Sequence, residues 1–118
     1  MKTELWEILV PTTYNDGKPV RVRHHRVWDA NVRAITGGLT IMKPAKGQWI
    51  CPEGQLYSER MIPVRFAVAS QEQVRKIMQL TCFHYDQLAV MATRVSDCCL
   101  ILDRQELLGK KPMWRKAA

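Results

Sequence analysis

Residues 37–69 read GGLTIMKPAKGQWICPEGQLYSERMIPVRFAVA, and this stretch decides the fold. Leu39 begins a short predicted strand, which Pro44 and Gly47 interrupt before a second extended piece at residues 48–51. A turn follows at residues 52–54, where the sequence is Pro-Glu-Gly. The stretch therefore predicts a strand, an extended connection with two glycine turns, and a return toward the sheet.

The return is the best strand signal in the chain. Residues 61–68 place apolar side chains at every second position, and this period of two is typical of a half-buried strand. Pro63 has no backbone N–H to give to a neighbouring strand. We therefore expect Pro63 at a sheet edge or at a strand start.

Two helices are predicted on either side of this stretch. Residues 20–36 carry an apolar stripe at intervals of three and four residues, at Val20, His24, Trp28, Val32 and Ile35. Ser70 followed three residues later by Gln73 is a capping box, which predicts a helix start there and a helix that runs to about Tyr85. Both helices are long enough to cover a sheet.

The remaining elements complete the fold class. Residues 5–10 predict a first strand, and residues 89–102 predict a last strand or a hairpin around Ser96 and Asp97. The order indicates a ferredoxin-like α+β fold, an antiparallel sheet of four to five strands with two helices on one face. We expect one domain at residues 1–103 and a basic C-terminal tail at residues 104–118. The uncovered sheet face predicts a homodimer.

Composition excludes several classes of protein. Hydrophobic residues make up 47% of the 118 residues and charged residues 25%, as in ordinary globular domains. No apolar run approaches the roughly 20 residues that a membrane helix needs, and the first ten residues do not resemble a signal peptide. We therefore expect a cytoplasmic protein with no membrane contact.

The four cysteines do not predict a metal site. They lie at Cys51, Cys82, Cys98 and Cys99, with no C-x-x-C pair among them. Adjacent residues on a strand point to opposite faces, so Cys98 and Cys99 do not form a ligand pair there. We expect free thiols in a reducing compartment, no metal and no cofactor.

Several short motifs resemble an uncharacterised family of small bacterial proteins of this size. They are Trp28 on a helix, Gly-Leu-Thr at residues 38–40, Gly-Gln-Trp at residues 47–49, Gly54, and the strands at residues 62–68 and 90–102. The resemblance covers roughly residues 5–102. It implies a ferredoxin-like βαββαβ fold and no known function. Members of that family resemble exported proteins, whereas no signal sequence is expected in this chain.

Three side chains in the central stretch suggest a small-molecule site. Trp49 and Tyr57 have flat rings that stack on a flat ligand, and Arg60 can pair with a carboxylate or phosphate. The alternative is that Trp49 only covers the core while Arg60 pairs with a surface acid. Our leading hypothesis is a dimeric binding module for a small anionic or aromatic ligand at these three residues.

A second hypothesis uses the net charge of +7. Five basic residues against one acid lie after residue 103, so much of the excess is in the tail. The candidate binders of nucleic acid or of an acidic protein are Arg21, Arg23, Arg26, Lys110 and Lys111. No helix-turn-helix, zinc finger or RNA-binding motif supports this alternative, so it is not favoured.

A third hypothesis is a small enzyme with His24 or His25 as a general base. Adjacent helical residues lie about 100° apart, so the two rings are poorly placed to share one metal. The simpler interpretation, which we favour, is one packed and one solvated histidine. No nucleophile elbow, P-loop or dinucleotide fingerprint is present, so an enzyme is the minority interpretation.

Overall fold

The computed structural model describes residues 2–109. The elements follow one another as β1 (Lys2–Pro11), α1 (Val22–Thr36), β2 (Thr40–Ile41), β3 (Ala45–Ile50), β4 (Leu56–Val68), α2 (Gln71–Tyr85), β5 (Ala92–Leu100) and α3 (Arg104–Leu108). Each helix and strand expected from the sequence up to residue 102 has a counterpart here.

One antiparallel sheet contains all five strands. Its order is β2-β4-β1-β5, and β3 pairs with the first half of β4 while β2 pairs with the second half. The helices α1 and α2 pack together on one face. This arrangement confirms the predicted ferredoxin-like α+β class.

The core lies between the helices and one face of the sheet. Residues directly opposite in an antiparallel pair share a face. Ile8 pairs with Val64, both are buried, and the same face carries the buried side chains of Val10, Phe66 and Val68. The helices contribute Trp28, Val32, Val74, Ile77 and Tyr85 to this cluster. The stripe predicted from spacing at Trp28, Val32 and Ile35 is therefore the face of α1 that packs on the core.

Trp28 is the largest buried side chain, and its polar atom is satisfied. Its indole Nε1–H donates to Thr81 Oγ1 at 2.9 Å, and the Thr81 hydroxyl donates to the Ile77 carbonyl at 2.6 Å. A buried N–H without a partner would cost about 1–3 kcal/mol. This chain of two hydrogen bonds joins α1 to α2 across the core.

The helix ends follow the sequence signals. Gly37 closes α1 at φ 86°, a left-handed conformation that glycine adopts without strain, and its N–H donates to the Arg33 carbonyl. Ser70 Oγ accepts from the Gln73 N–H, while Gln73 Oε1 accepts from the Ala69 N–H. The predicted capping of α2 is confirmed, with the return bond one residue earlier than in the standard box.

The prediction for Pro63 was wrong in its position. Pro63 lies in the middle of β4, an interior strand, and pairs with Leu9 of β1. Its carbonyl accepts from the Met42 N–H at 2.9 Å, so its ring nitrogen also faces the β2 and β3 side. Residues 42–44, between β2 and β3, are not part of the strand register with β4. The position of Pro63 that lacks an N–H therefore lies where the hydrogen-bonded pairing along this edge of β4 is interrupted.

The strands β3 and β4 form an arm that extends past the rest of the sheet. β1 ends at Pro11, opposite Met61, so residues 56–60 of β4 pair with β3 and not with β1. Gly54 allows the turn at the tip, at φ 83°. We call this two-stranded ribbon, residues 45–61, the arm.

The chain after residue 91 is one strand followed by a short helix. β5 is a single strand whose pairing with β1 shifts register near Leu5, which decides between the two interpretations of residues 89–102. Asp103 caps α3 through a capping box with Glu106. The rest of the predicted tail, with Lys110 and Lys111, lies outside the described residues. No helix within residues 2–109 is long and apolar enough to cross a membrane.

Candidate functional site

The arm carries two aromatic rings that stack on each other. Trp49 of β3 and Tyr57 of β4 are directly opposite in the register. Their ring centroids are 4.9 Å apart with 18° between the planes. Both side chains are half-buried, so each ring keeps accessible surface. A stacked pair of this kind rigidifies the ribbon and offers a flat apolar surface.

A cavity of about 360 Å³ lies against this aromatic pair. Tyr57, Glu59 and Met61 alternate along β4, so a period of two places all three on the same face of the arm. The opposite wall is the connection from α2 to β5, residues 87–91. We call this cavity the arm pocket; its other lining residues are Leu9, Asn15, Gly47 and Gln48.

The arm pocket is mostly apolar and carries one charge. Among its described lining residues Glu59 alone is ionisable at neutral pH, and Met61 and Met91 add thioether surface. The volume falls within the roughly 300–1,000 Å³ of ordinary small-molecule sites. A flat, uncharged or cationic ligand matches this lining better than an anion does.

Arg60 does not join the other two predicted ligand-binding residues. It pairs with Lys46 and lies between Glu59 and Met61 on β4, so its side chain leaves from the opposite face of the arm. Its backbone carbonyl accepts from Thr12 at the end of β1. The structure thus brings together Trp49 and Tyr57 and separates Arg60 from them.

The two candidate catalytic histidines link the helices. His24 Nε2 lies 2.8 Å from the His84 carbonyl oxygen, and His25 Nδ1 lies 2.7 Å from the Tyr85 hydroxyl. Both histidines are half-buried. The expectation of one packed and one solvated ring is therefore wrong, because each ring bridges α1 to the end of α2.

Burial changes the acid–base behaviour near His25. Desolvation lowers the pKa of His25, against a smaller opposing effect of the Asp29 carboxylate. Desolvation also raises the pKa of Asp29 and that of the Tyr85 phenol, which stays protonated far above neutral pH. Burial therefore disfavours the charged form of each of these three groups.

The basic residues of α1 divide into two groups. Arg21 and Arg23 lie at the start of the helix and line a second cavity, which Arg26 does not line. Arg33 lies in the last turn, where a cation is favourable beside the helix C-terminus. Of the five candidate polyanion binders, Arg21 and Arg23 therefore share a cavity, Arg26 does not line it, and Lys110 and Lys111 lie outside the described residues.

The thiols and possible metal ligands are dispersed. Cys51 is buried, Cys98 is exposed, and Cys82 and Cys99 are intermediate, all without disulfides. Within residues 2–109 no three His, Cys, Asp or Glu side chains are grouped to hold a metal ion.

The wall at residues 87–91 was not predicted as part of any site. These residues read Gln-Leu-Ala-Val-Met and carry no chemical signature. Glu59 and Met61, by contrast, were detectable, because they alternate with Tyr57 along a strand. Alternation was also the signal that excludes Arg60 from that face.

Comparison with known proteins gives similarity of fold. No family model matches this chain, and no curated protein does. Several solved structures resemble it. One is a phage SAM lyase in complex with S-methyl-5′-thioadenosine, with TM-score 0.62, 12% identity and coverage of 81% of this chain and 84% of that one. Another is the divalent cation tolerance protein CutA1 of Thermus thermophilus, with TM-score 0.51, 9% identity and coverage of 80% of this chain and 84% of that one. A further one is CutA of Synechococcus elongatus, with TM-score 0.51, 14% identity and coverage of 80% of this chain and 78% of that one.

Identities this low establish the fold alone. Membership of the uncharacterised bacterial family stays a prediction. The chain has the ferredoxin-like α+β fold that it shares with these structures.

Proposed function

We propose that this protein is a binding module for a small molecule that combines a flat aromatic ring with a positive or neutral group. The observation that carries the proposal is the stacked pair of Trp49 and Tyr57 beside Glu59, on one face of the arm. A ring that stacks on this pair replaces water on an apolar surface, while Glu59 favours a cation nearby.

The ligand class we propose is an adenosine that carries sulfur at its 5′ position. The structure with TM-score 0.62 is that of a SAM lyase with S-methyl-5′-thioadenosine bound. A purine suits the aromatic pair, the thioether carbons suit Met61 and Met91, and the sulfonium of SAM suits the Glu59 carboxylate. These matches support the class and rest on the chemistry of the lining.

The arm pocket favours the aromatic half of the hypothesis drawn from the sequence. An anionic ligand would lie beside Glu59 with no lining cation to offset the repulsion. The Arg60 guanidinium that was expected to neutralise it extends from the other face of β4. We therefore propose no anion in this pocket.

We also propose a homodimer through the sheet face that the helices leave uncovered. This open face carries Leu5, Glu7, Leu9, Pro63, Arg65 and Ala67, in which Arg65 Nε and Glu7 Oε1 form an ion pair at 3.0 Å. Most side chains of this face are apolar, and its two charged residues already pair with each other. Such a face is suited to contact with a second copy of the chain. The arm pocket lies on the same side of the sheet, since Leu9 belongs to both.

The test is direct titration of the purified protein with SAM and with S-methyl-5′-thioadenosine, followed by calorimetry. We expect saturable binding of at least one compound, with a large loss in Trp49→Ala and no change in Ser58→Ala. Ser58 lies on the same strand as Tyr57 but faces the other way, so it is the matched control. No binding of either compound, or equal loss in both variants, would overturn the proposal. Chromatography of the SAM sample shows in addition whether the bound molecule is cleaved.

A further inference from the structure

A second cavity, of about 580 Å³, lies where the β1–α1 connection meets the start of α1. It shares no lining residue with the arm pocket. We call it the basic cleft, and it is lined by Tyr14, Asp16, Lys18, Pro19, Arg21, Arg23, His24 and Val27. Its lining carries three cations and one carboxylate and is therefore positively charged, whereas the one charge in the lining of the arm pocket is negative.

Within residues 2–109, no ion pair neutralises the cations of the basic cleft. The described part of the chain contains two ion pairs, Arg65 with Glu7 and Arg94 with Glu4, and neither involves the cleft. Asp16, the one acid of the lining, accepts from the backbone N–H of Lys18 at 2.9 Å through its Oδ1. Lys18, Arg21 and Arg23 therefore meet at one concave surface without an ion-pair partner among residues 2–109.

The back of the cleft is held in place by contacts with the rest of the fold. The Tyr14 hydroxyl accepts from the Arg21 N–H at 3.2 Å, and the Tyr14 ring lies against His24, with centroids 5.6 Å apart. His24 is itself fixed by its bond to the His84 carbonyl. The backbone that carries the cations is thus ordered before any ligand arrives, which reduces the entropic cost of binding.

We propose that the basic cleft binds a phosphate group of a small molecule. A guanidinium offers paired donors in the geometry of phosphate oxygens, and Lys18 adds a point charge on the other side. Arg26, one turn further along α1, is not part of the lining. A compact ligand explains this grouping better than a polymer, whose backbone would follow the whole basic face of the helix.

The experiment is calorimetric titration of the full chain with pyrophosphate at low salt. We expect one saturable site, with binding weakened roughly tenfold or more in Arg23→Ala and in Lys18→Ala, because each removes a charge-assisted contact. Arg26→Ala is the matched control, since it removes the same charge from the same exposed helix outside the cleft. That variant should stay within about twofold of the wild-type affinity, apart from the small effect of net charge.

Three outcomes overturn the proposal. They are no saturable binding of pyrophosphate, an equal loss in Arg23→Ala and Arg26→Ala, and a preference for a single-stranded oligonucleotide that depends on Arg26 as strongly as on Arg23. The last result would place the partner along the helix face. Thermal unfolding of each variant identifies loss of folding, and Lys18→Gln, at an exposed turn position, provides a second variant. Trp49→Ala should leave pyrophosphate binding unchanged, which separates failure here from failure of the arm pocket.

Discussion

His24 and His84 are joined by two reciprocal hydrogen bonds. The Nε2 atom of each ring lies 2.8 Å from the backbone carbonyl oxygen of the other residue, and the two rings stack with centroids 3.8 Å apart. A carbonyl only accepts, so both Nε2 atoms carry hydrogen. The start of α1 is thereby fastened to the last turn of α2 independently of the apolar core.

The first prediction concerns these two hydrogen bonds between His24 and His84. His84→Ala removes one of the two hydrogen bonds and the ring stack, and we expect a loss of about 1–2 kcal/mol in the free energy of unfolding. Phe83→Ala is the control, because Phe83 is the neighbouring aromatic residue and is 89% exposed. Urea unfolding measures both variants. Equal losses in the two variants would mean that the contacts between His24 and His84 add nothing to the free energy of unfolding beyond the effect of placing alanine in this turn of α2.

The second prediction concerns pH. Burial is the largest cause that lowers the pKa of His25 below its ordinary value of 6.5. As the pH falls, the unfolded chain therefore takes up a proton at this residue at a higher pH than the folded chain does. The folded state is therefore favoured above that value, and stability falls as the pH drops below about 6.5. Tyr85 acts at the other end: its raised pKa means that stability falls as the pH rises past 10.

Urea unfolding at pH 7.5 and pH 5.5 measures the acid side of this dependence. Asp29 has a raised pKa and acts in the opposite direction, because its carboxyl group binds a proton more readily in the folded chain than in the unfolded chain. His25→Gln should flatten the loss between the two pH values. A variant whose loss is as steep as that of the wild type would show that other groups carry the dependence.

The third prediction concerns the buried bond between Trp28 and Thr81. Thr81 is 0% exposed, and Thr81→Val keeps its shape while removing the acceptor of the Trp28 N–H. We expect a loss of about 1–3 kcal/mol, because the indole N–H stays buried without a partner. Thr13→Val, at an exposed position of the β1–α1 connection, is the control. A thermal melt of both variants checks the difference.

Local spacing predicted this fold well where one face of an element is buried. The stripe through Trp28 and Val32 and the capping at Ser70 each follow from contacts within one helix, so residue intervals identify them. Pro63 shows the limit. Whether a missing donor is tolerated depends on the neighbouring strand, and the gap between β2 and β3 arises from pairing that no local pattern encodes.

The candidate site was predicted in part for the same reason. Trp49 and Tyr57 were grouped by proximity along the chain, and the register of the arm does bring them together. Arg60 was grouped with them by the same criterion, although side chains on one face of a strand lie two or four positions apart and Arg60 is three positions after Tyr57. The reciprocal pairing of His24 with His84 spans 60 residues and depends on how α1 packs on α2.

The fourth prediction concerns the proposed dimer. Ala67 is half-buried on the open face, where an arginine can extend into solvent in a monomer but would be buried against a second copy. Ala67→Arg should therefore convert a dimer into a monomer while preserving the fold. Gln79→Arg, on an exposed position of α2, adds the same charge elsewhere. Sedimentation velocity distinguishes these cases, and a wild-type monomer at high concentration would refute the interface.

The fifth prediction separates the two features of the arm pocket. SAM carries a sulfonium and an amino-acid group, with a net positive charge, and S-methyl-5′-thioadenosine carries neither, while both contain the same purine. Glu59→Gln keeps the size of the side chain and removes its charge, so it should weaken SAM binding roughly tenfold and leave the neutral nucleoside within about twofold. Trp49→Ala should weaken both, because stacking does not depend on the charge. Arg60→Gln is the matched control on the opposite face, and we expect it to change neither affinity. If Glu59→Gln weakened both ligands equally, the carboxylate would be recognising the nucleoside, and the preference for a cation would be wrong.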